Sequence, residues 1–146
     1  MVKDLIEMTG RVQFHLLRPD GSEARWEADN LVTTQGKTGI ANRMLPAPTA
    51  TSMSHMAVGT GAASPAITDI ALVTEVSRVA LATQTAVGAV VTYTATFLPG
   101  VGTGALVEAG LFNAAAAGVM QNRTTFAVIN KAAGDTLNVT WTVTVG

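Results

Sequence analysis

Cysteine is absent from this chain, so neither a disulfide framework nor a thiolate metal site can be built from it. Charge is scarce: Asp, Glu, Lys and Arg make up 13% of the 146 residues, and the formal net charge is −1. A balance this close to neutral gives no general attraction to nucleic acid or to an anionic membrane. Long hydrophobic runs are missing too, and none approaches the roughly 20 residues needed to span a bilayer. Met1 to Thr9 is too mixed in polarity to read as a signal peptide. Histidine occurs twice, as His15 and His55, with no His or acidic neighbour at a spacing that builds a metal site. No Ser sits in a Gly-x-Ser-x-Gly elbow, so an activated nucleophile has no evident seat. These absences lead to the expectation of a chain that is not an enzyme and takes no cofactor.

What the chain has is alternation. Leu137, Val139, Trp141, Val143 and Val145 are interleaved with Asn138, Thr140, Thr142 and Thr144. That is the period-two pattern of a half-buried strand, and a one-residue slip would bury every polar side chain. Ala89 to Phe97 repeats it, with Val91, Tyr93, Ala95 and Phe97 set against Thr92, Thr94 and Thr96. β-Branched residues crowd both stretches and disfavour helix.

At the other end, Val12, Phe14 and Leu16 lead into Arg18-Pro19-Asp20-Gly21, which has turn chemistry. A return strand follows over Ser22 to Val32. Its Ala24, Trp26 and Ala28 oppose Glu23, Arg25, Glu27 and Asp29. The hairpin spans about residues 8–32, and its charged face is a candidate docking surface for solvent or a charged partner.

Thr33 or Thr34 can cap a short helix near residues 36–45, stopped by Pro46 and Pro48. Gly36-Lys37-Thr38 lacks the earlier glycine of a phosphate loop. His55 to Val58 reads as a strand, Asp69 to Val76 as a helical turn or irregular crossing, and Arg78 to Thr85 as a strand. Further strands are expected over Leu106 to Asn113 and, with a possible bulge, over Val119 to Ile129. A final turn runs from Asn130 to Asp135. About eight strands with short loops predict one all-β domain over residues 1–146, a mainly antiparallel sandwich of jelly-roll or immunoglobulin-like type. A small closed barrel is the alternative.

Residues 1–45 hold six basic and six acidic side chains, and the remaining 101 hold seven charges in all. A surface so poor in charge suits contact with other subunits, because interface cores are depleted in charged residues; a threonine-coated sheet exposed to water is the equal alternative. Among the few late charges, Glu108 lies between apolar strand neighbours. It is expected to form a structural ion pair with Arg78 or Arg123, since a partly buried charge needs a partner. Gly59-Thr60-Gly61 and the Gly100 to Gly104 loop can offer backbone N–H groups to an anion, but neither opens a convincing helix. Asn122-Arg123-Thr124 and Asn138-Val139-Thr140 fit the glycosylation pattern, by chance in a Thr-rich chain.

Several stretches resemble small structural proteins of tailed bacteriophages. They are Met53 to Gly61, Thr68 to Leu72 with Thr74, Glu75 and Arg78, Glu108 to Ala114, Met120 to Phe126, and Asn130 to Leu137. The similarity runs from about Asn30 to the C-terminus and takes in proteins of tail-fibre-like and head-decoration-like kind. It implies a virion component assembled in the bacterial cytoplasm. The implied partners are copies of itself, as dimer or trimer, and capsid, neck or tail proteins, with no nucleic acid and no membrane. Within that family a capsid decoration or cement role is favoured over a neck or tail role, because the chain has no shaft or coiled coil. A carbohydrate-binding module, with Trp26 or Tyr93 facing sugar and Glu75 or Glu108 assisting, is the more distant alternative.

Overall fold

The computed structural model describes all of residues 1–146 as two antiparallel five-stranded sheets packed face to face, with one helix at an end. Sheet A contains β1 (Met8–Leu17), β2 (Glu23–Asp29), β6 (Thr83–Val87), β7 (Val90–Phe97) and β10 (Thr136–Val145), in the order β2-β1-β10-β7-β6. Sheet B contains β3 (Leu31–Val32), β4 (His55–Gly59), β5 (Glu75–Ala80), β8 (Gly104–Phe112) and β9 (Met120–Lys131), in the order β3-β9-β8-β4-β5.

The core lies between the sheets. The alternating residues of β10 enter it as read: Leu137, Val139, Trp141 and Val143 are buried, and their polar neighbours face outward. Val12, Phe14 and Leu16 of β1 and Ala95 and Phe97 of β7 complete the sheet A side. Met56, Val58, Leu106, Ala109, Leu111 and Ile129 supply sheet B. The β1–β2 turn closes with Gly21 at φ +85°, a conformation that glycine adopts without a Cβ penalty.

Two expected strands are each divided between the sheets. Ser22 to Val32 breaks at Asn30, leaving β2 in sheet A and β3 in sheet B. Asn30 N–H donates to Gly10 O (3.1 Å), and its side-chain Oδ1 accepts from Trp141 Nε1 and Asn122 Nδ2, which fixes the corner. Arg78 to Thr85 breaks at Leu81-Ala82, where Leu81 N–H donates to Ser54 O (2.9 Å) and Ala82 N–H to Thr94 O (2.7 Å). β5 and β6 then belong to opposite sheets. Alternation lapses at Asp29-Asn30 and Leu31-Val32, the one local trace of the first corner, whereas Val79, Leu81 and Thr83 keep their spacing through the second and give no sign of the change of layer.

The helix α1 (Thr34–Arg43) begins and ends two residues ahead of the expected 36–45. Thr33 is its cap, accepting from Gly36 N–H (2.9 Å). A Cβ on Gly36 would lie 2.6 Å from Gln121 O, so this glycine is required for the helix to sit directly on β9. The segment from Asp69 leads without helix into β5, which starts at Glu75. β9 runs on to Lys131, into the expected final turn.

One irregularity positions the chemistry. Leu106 pairs with Ile129 but Glu108 pairs with Thr125, so Val107 faces three residues of β9. This bulge turns Phe126 inward to pack on Phe14, ring centroids 4.2 Å apart. It also reverses the facing of β8. Leu106 points into the core, whereas after the bulge Ala109 and Leu111 do so and Glu108 turns to the outer side of sheet B.

Candidate functional site

The outer side of sheet B is covered by residues 60–74, a strap that joins β4 to β5. Beneath it Glu108 is 0% exposed and Arg123 1%. The carboxylate is fully bonded. Gly61 N–H (2.9 Å) and Thr74 N–H (2.8 Å) donate to Oε1, while Val73 N–H (3.0 Å) and Arg123 Nη2 (2.9 Å) donate to Oε2. Arg123 reaches on to Asp69 Oδ2 through Nη1 (3.0 Å) and to Ala63 O through Nη2 (2.8 Å). Asp69 also accepts from Ala66 N–H (2.8 Å), closing its own turn. Charge-assisted bonds of this kind are roughly twice as strong as neutral ones, and here they tie both legs of the strap to β8 and β9.

The glycines of Gly59-Thr60-Gly61 follow from this packing. A Cβ on Gly61 would lie 2.3 Å from Val73 Cβ and 2.7 Å from Glu108 Oε1; one on Gly59 would lie 2.3 Å from Thr74 O. The anion that this loop's amide meets is a side chain of the same protein. Next to the network, Ala57, Leu72, Phe112 and Met120 form a second, smaller apolar cluster.

Of the two partners expected for Glu108, the structure gives Arg123 and not Arg78. β9 lies beside β8, whereas β4 separates β8 from β5. Arg78 instead takes Glu75 through Nη2 (2.7 Å), donates to Ala114 O and Ala117 O, and lies 3.6 Å over the Phe112 ring. Asp69 is the member that the sequence reading missed as a partner. Its one signal is that it is an acid in a segment with almost no other charge.

The candidate docking face holds together as a surface. Glu23, Arg25, Glu27 and Asp29 are all exposed on one side of β2. Three of them have partners in place: Arg11 binds Glu27, Gln13 Nε2 donates to Glu27 Oε1 (3.2 Å), and Glu23 meets His15 (3.0 Å) and Arg25 (3.8 Å). The hydrogen bond from Arg11 holds the Glu27 carboxyl below its usual pKa, with Gln13 adding to it. The face therefore interleaves charges of both signs, Arg11 and Arg25 among Glu23, Glu27 and Asp29.

Across the rest of sheet A the outer face is threonine. Two rows cross all five strands, one as Thr83, Thr94, Thr140, Gln13 and Glu27, the other as Thr85, Thr92, Thr142, Arg11 and Asp29. A shallow polar trough of about 390 Å³ opens over Thr9, Arg11, Gln13, Asp29, Thr142 and Thr144.

Trp26 and Tyr93, the expected sugar-facing rings, pack partly against the inter-sheet core. Burial raises the Tyr93 phenol pKa, with a hydrogen bond to Gln121 opposing. Glu75 is held by Arg78 and Glu108 lies under the strap, so these four residues form no common site. Asn122, of the first glycosylation pattern, is 0% exposed. His55 meets Ser54 Oγ through Nδ1 (2.8 Å), and no group of three or more His, Asp or Glu side chains converges.

Compared with protein-family models, with curated proteins and with solved structures, the chain finds no match.

Proposed function

We propose that this chain is a non-enzymatic structural component of a tailed-bacteriophage particle, a capsid decoration or cement protein that packs beside capsid subunits and copies of itself. One observation carries the reading. The seven charged side chains after residue 45 are all engaged within the chain. Glu75 binds Arg78, and Asp69, Arg123 and Glu108 form one network. Lys131 donates to Leu98 O (3.1 Å), and Asp135 accepts from Ala132 N–H (2.9 Å). The outward surfaces of β6, β7 and β10 are left with Thr, Val, Ala, Gln and Asn. An uncharged, flat, hydrogen-bonding face loses little on desolvation against another protein, whereas a charged one loses much. Many such modest contacts, repeated on a symmetric particle, add up through avidity.

Mass spectrometry of purified particles of the phage that encodes this chain tests the proposal. A copy number matching the capsid subunits is the expected result. A copy number in proportion to the tail or neck proteins would move the role there, and absence from particles would overturn it.

A further inference from the structure

The four sheet edges are not protected alike. β2 carries Glu23, Arg25, Glu27 and Asp29, and β5 carries Glu75 and Arg78. β3 is two residues long. Charge and shortness are the usual guards against edge-to-edge pairing. β6, Thr-Gln-Thr-Ala-Val, has five exposed residues with no charge and no proline. It joins β7 through the two-residue loop Gly88-Ala89, with Val87 opposite Val90. In such a hairpin alternate residues bond the partner strand, so Gln84 and Ala86 turn their N–H and C=O groups away from β7 toward solvent.

A second feature is unpaired on the same chain. Residues 1–7 are exposed throughout, and Met1, Val2, Leu5 and Ile6 show 115%, 90%, 85% and 73% of their surface. The one backbone bond in this arm is Gly146 N–H to Glu7 O (2.8 Å). Extended, the six residues before Glu7 reach about 20 Å, close to the length of β6 at roughly 3.4 Å per residue. The arm leaves β1, which lies three strand spacings from β6 in the same sheet. Those spacings amount to about 14 Å, so residues 1–6 crossing to the β6 of their own copy would keep about two of the six for pairing.

We propose that the arm of one copy adds as a strand to the β6 edge of a second copy. The added strand fills the outward N–H and C=O groups of Gln84 and Ala86 and covers apolar side chains that are otherwise bare. Donor and acceptor are different surfaces, so two copies can exchange arms reciprocally, and a one-way contact closes as a ring or runs on as a filament. The exchange rests only on the part of the preceding reading in which copies pack together. Absence from virions would sink the role and leave the exchange standing; a monomeric protein would sink the exchange and leave the role standing.

The test is sedimentation equilibrium of the full chain and of two variants. Ala86→Pro blocks the acceptor edge while leaving the bonds to β7, because proline is tolerated where the N–H faces solvent. Thr85→Lys, a charge of the kind that guards natural edges, is the second edge variant should the proline unfold β6, with circular dichroism checking both. Leu5→Asp with Ile6→Asp disables the donor. The expected result is an oligomeric wild type, loss of the oligomer in each variant alone, and a one-to-one complex when an edge variant is mixed with the arm variant. A wild type that is monomeric at every concentration overturns the proposal. Loss in the edge variants with an unaffected arm variant means that β6 pairs with β6, and overturns it as well. Loss in the arm variant alone, or a mixture that stays monomeric, also overturns it.

Discussion

On the outer side of sheet B, residues 60–74 lie across the strands and bury Glu108 and Arg123 beneath them. On the outer side of sheet A, Thr92, Thr94, Thr140 and Thr142 stand half-exposed with no segment over them. Both faces are polar. In the first, polarity is concentrated in a few charges whose every strong bond is internal, so it holds the protein to itself. In the second it is spread over hydroxyls that satisfy one another only in part, as Thr83 does with Thr94 and Thr96 with Asn138 (2.8 Å). The remaining donors and acceptors are available to water or to another surface. The comparison separates side chains that make the fold from side chains that the fold displays.

Substitution at the covered face sharpens that contrast most. Arg123→Ala strips the partner from Glu108 and from Asp69 in one change. Breaking a buried pair by removing one member costs about 3–5 kcal/mol. The urea midpoint is expected to fall by the corresponding amount with an unchanged slope. A midpoint close to that of the wild type would mean that the network contributes little and that the two faces do not differ in kind.

Gly61→Ala probes the strap and spares the charges. The new Cβ meets Val73 Cβ and the Glu108 carboxylate, both held by backbone. Overpacking of this sort costs about 1–3 kcal/mol. The Val73 and Thr74 amides that bind Glu108 should then exchange with deuterium faster than the β8 and β9 amides. Uniform acceleration across both sheets would show that strap and sheet open as one unit.

Thr140→Ala is the matching change on the bare face. Thr140 sits between Thr94 and Gln13, and cross-strand pairs of this type contribute about 0.2–1 kcal/mol. A loss above that range in a thermal melt would mark the threonine rows as part of the protein's own framework.

How much of this was legible follows from which interactions are local. β1, β7 and β10 were readable because one face of each is buried and alternation records that directly. The corners at Asn30 and Leu81-Ala82 were not, because what changes there is the strand's hydrogen-bonding partners, and the lapse of alternation at Asp29-Asn30 and Leu31-Val32 does not by itself say that the chain crosses to the other sheet. Glu108 was recognisable as a charge in need of a partner. Its choice of Arg123 over Arg78 depends on strand order, and its outward facing depends on the bulge opposite Val107. Asp69 and the glycines of Gly59-Thr60-Gly61 belong to the same site only because the strap folds back over β8, a long-range event with no periodic trace. The charges Glu23, Arg25, Glu27 and Asp29 were placed on one face, but the side chains that bond them, Arg11 and Gln13 on Glu27 and His15 on Glu23, come from across the strand pair.

The Arg11–Glu27 pair gives the smallest effect. Glu27→Gln removes the partner of Arg11 at the exposed edge of sheet A, where ion pairs contribute little to stability. The hydrogen bond from Arg11 lowers the folded-state pKa of Glu27 below its usual value. The unfolded chain therefore binds more protons through that interval. The contribution of Glu27 is present above the usual carboxylate range and is lost as pH falls through it. Wild type and Glu27→Gln should thus differ slightly at neutral pH and low salt and converge on acidification, and added salt should shrink the neutral-pH difference by screening. A difference that persisted at acid pH and high salt would mean that Glu27 supports the fold through packing. The charged ladder of β2 would then belong with the covered face of sheet B, and the contrast between the two faces would have to be redrawn.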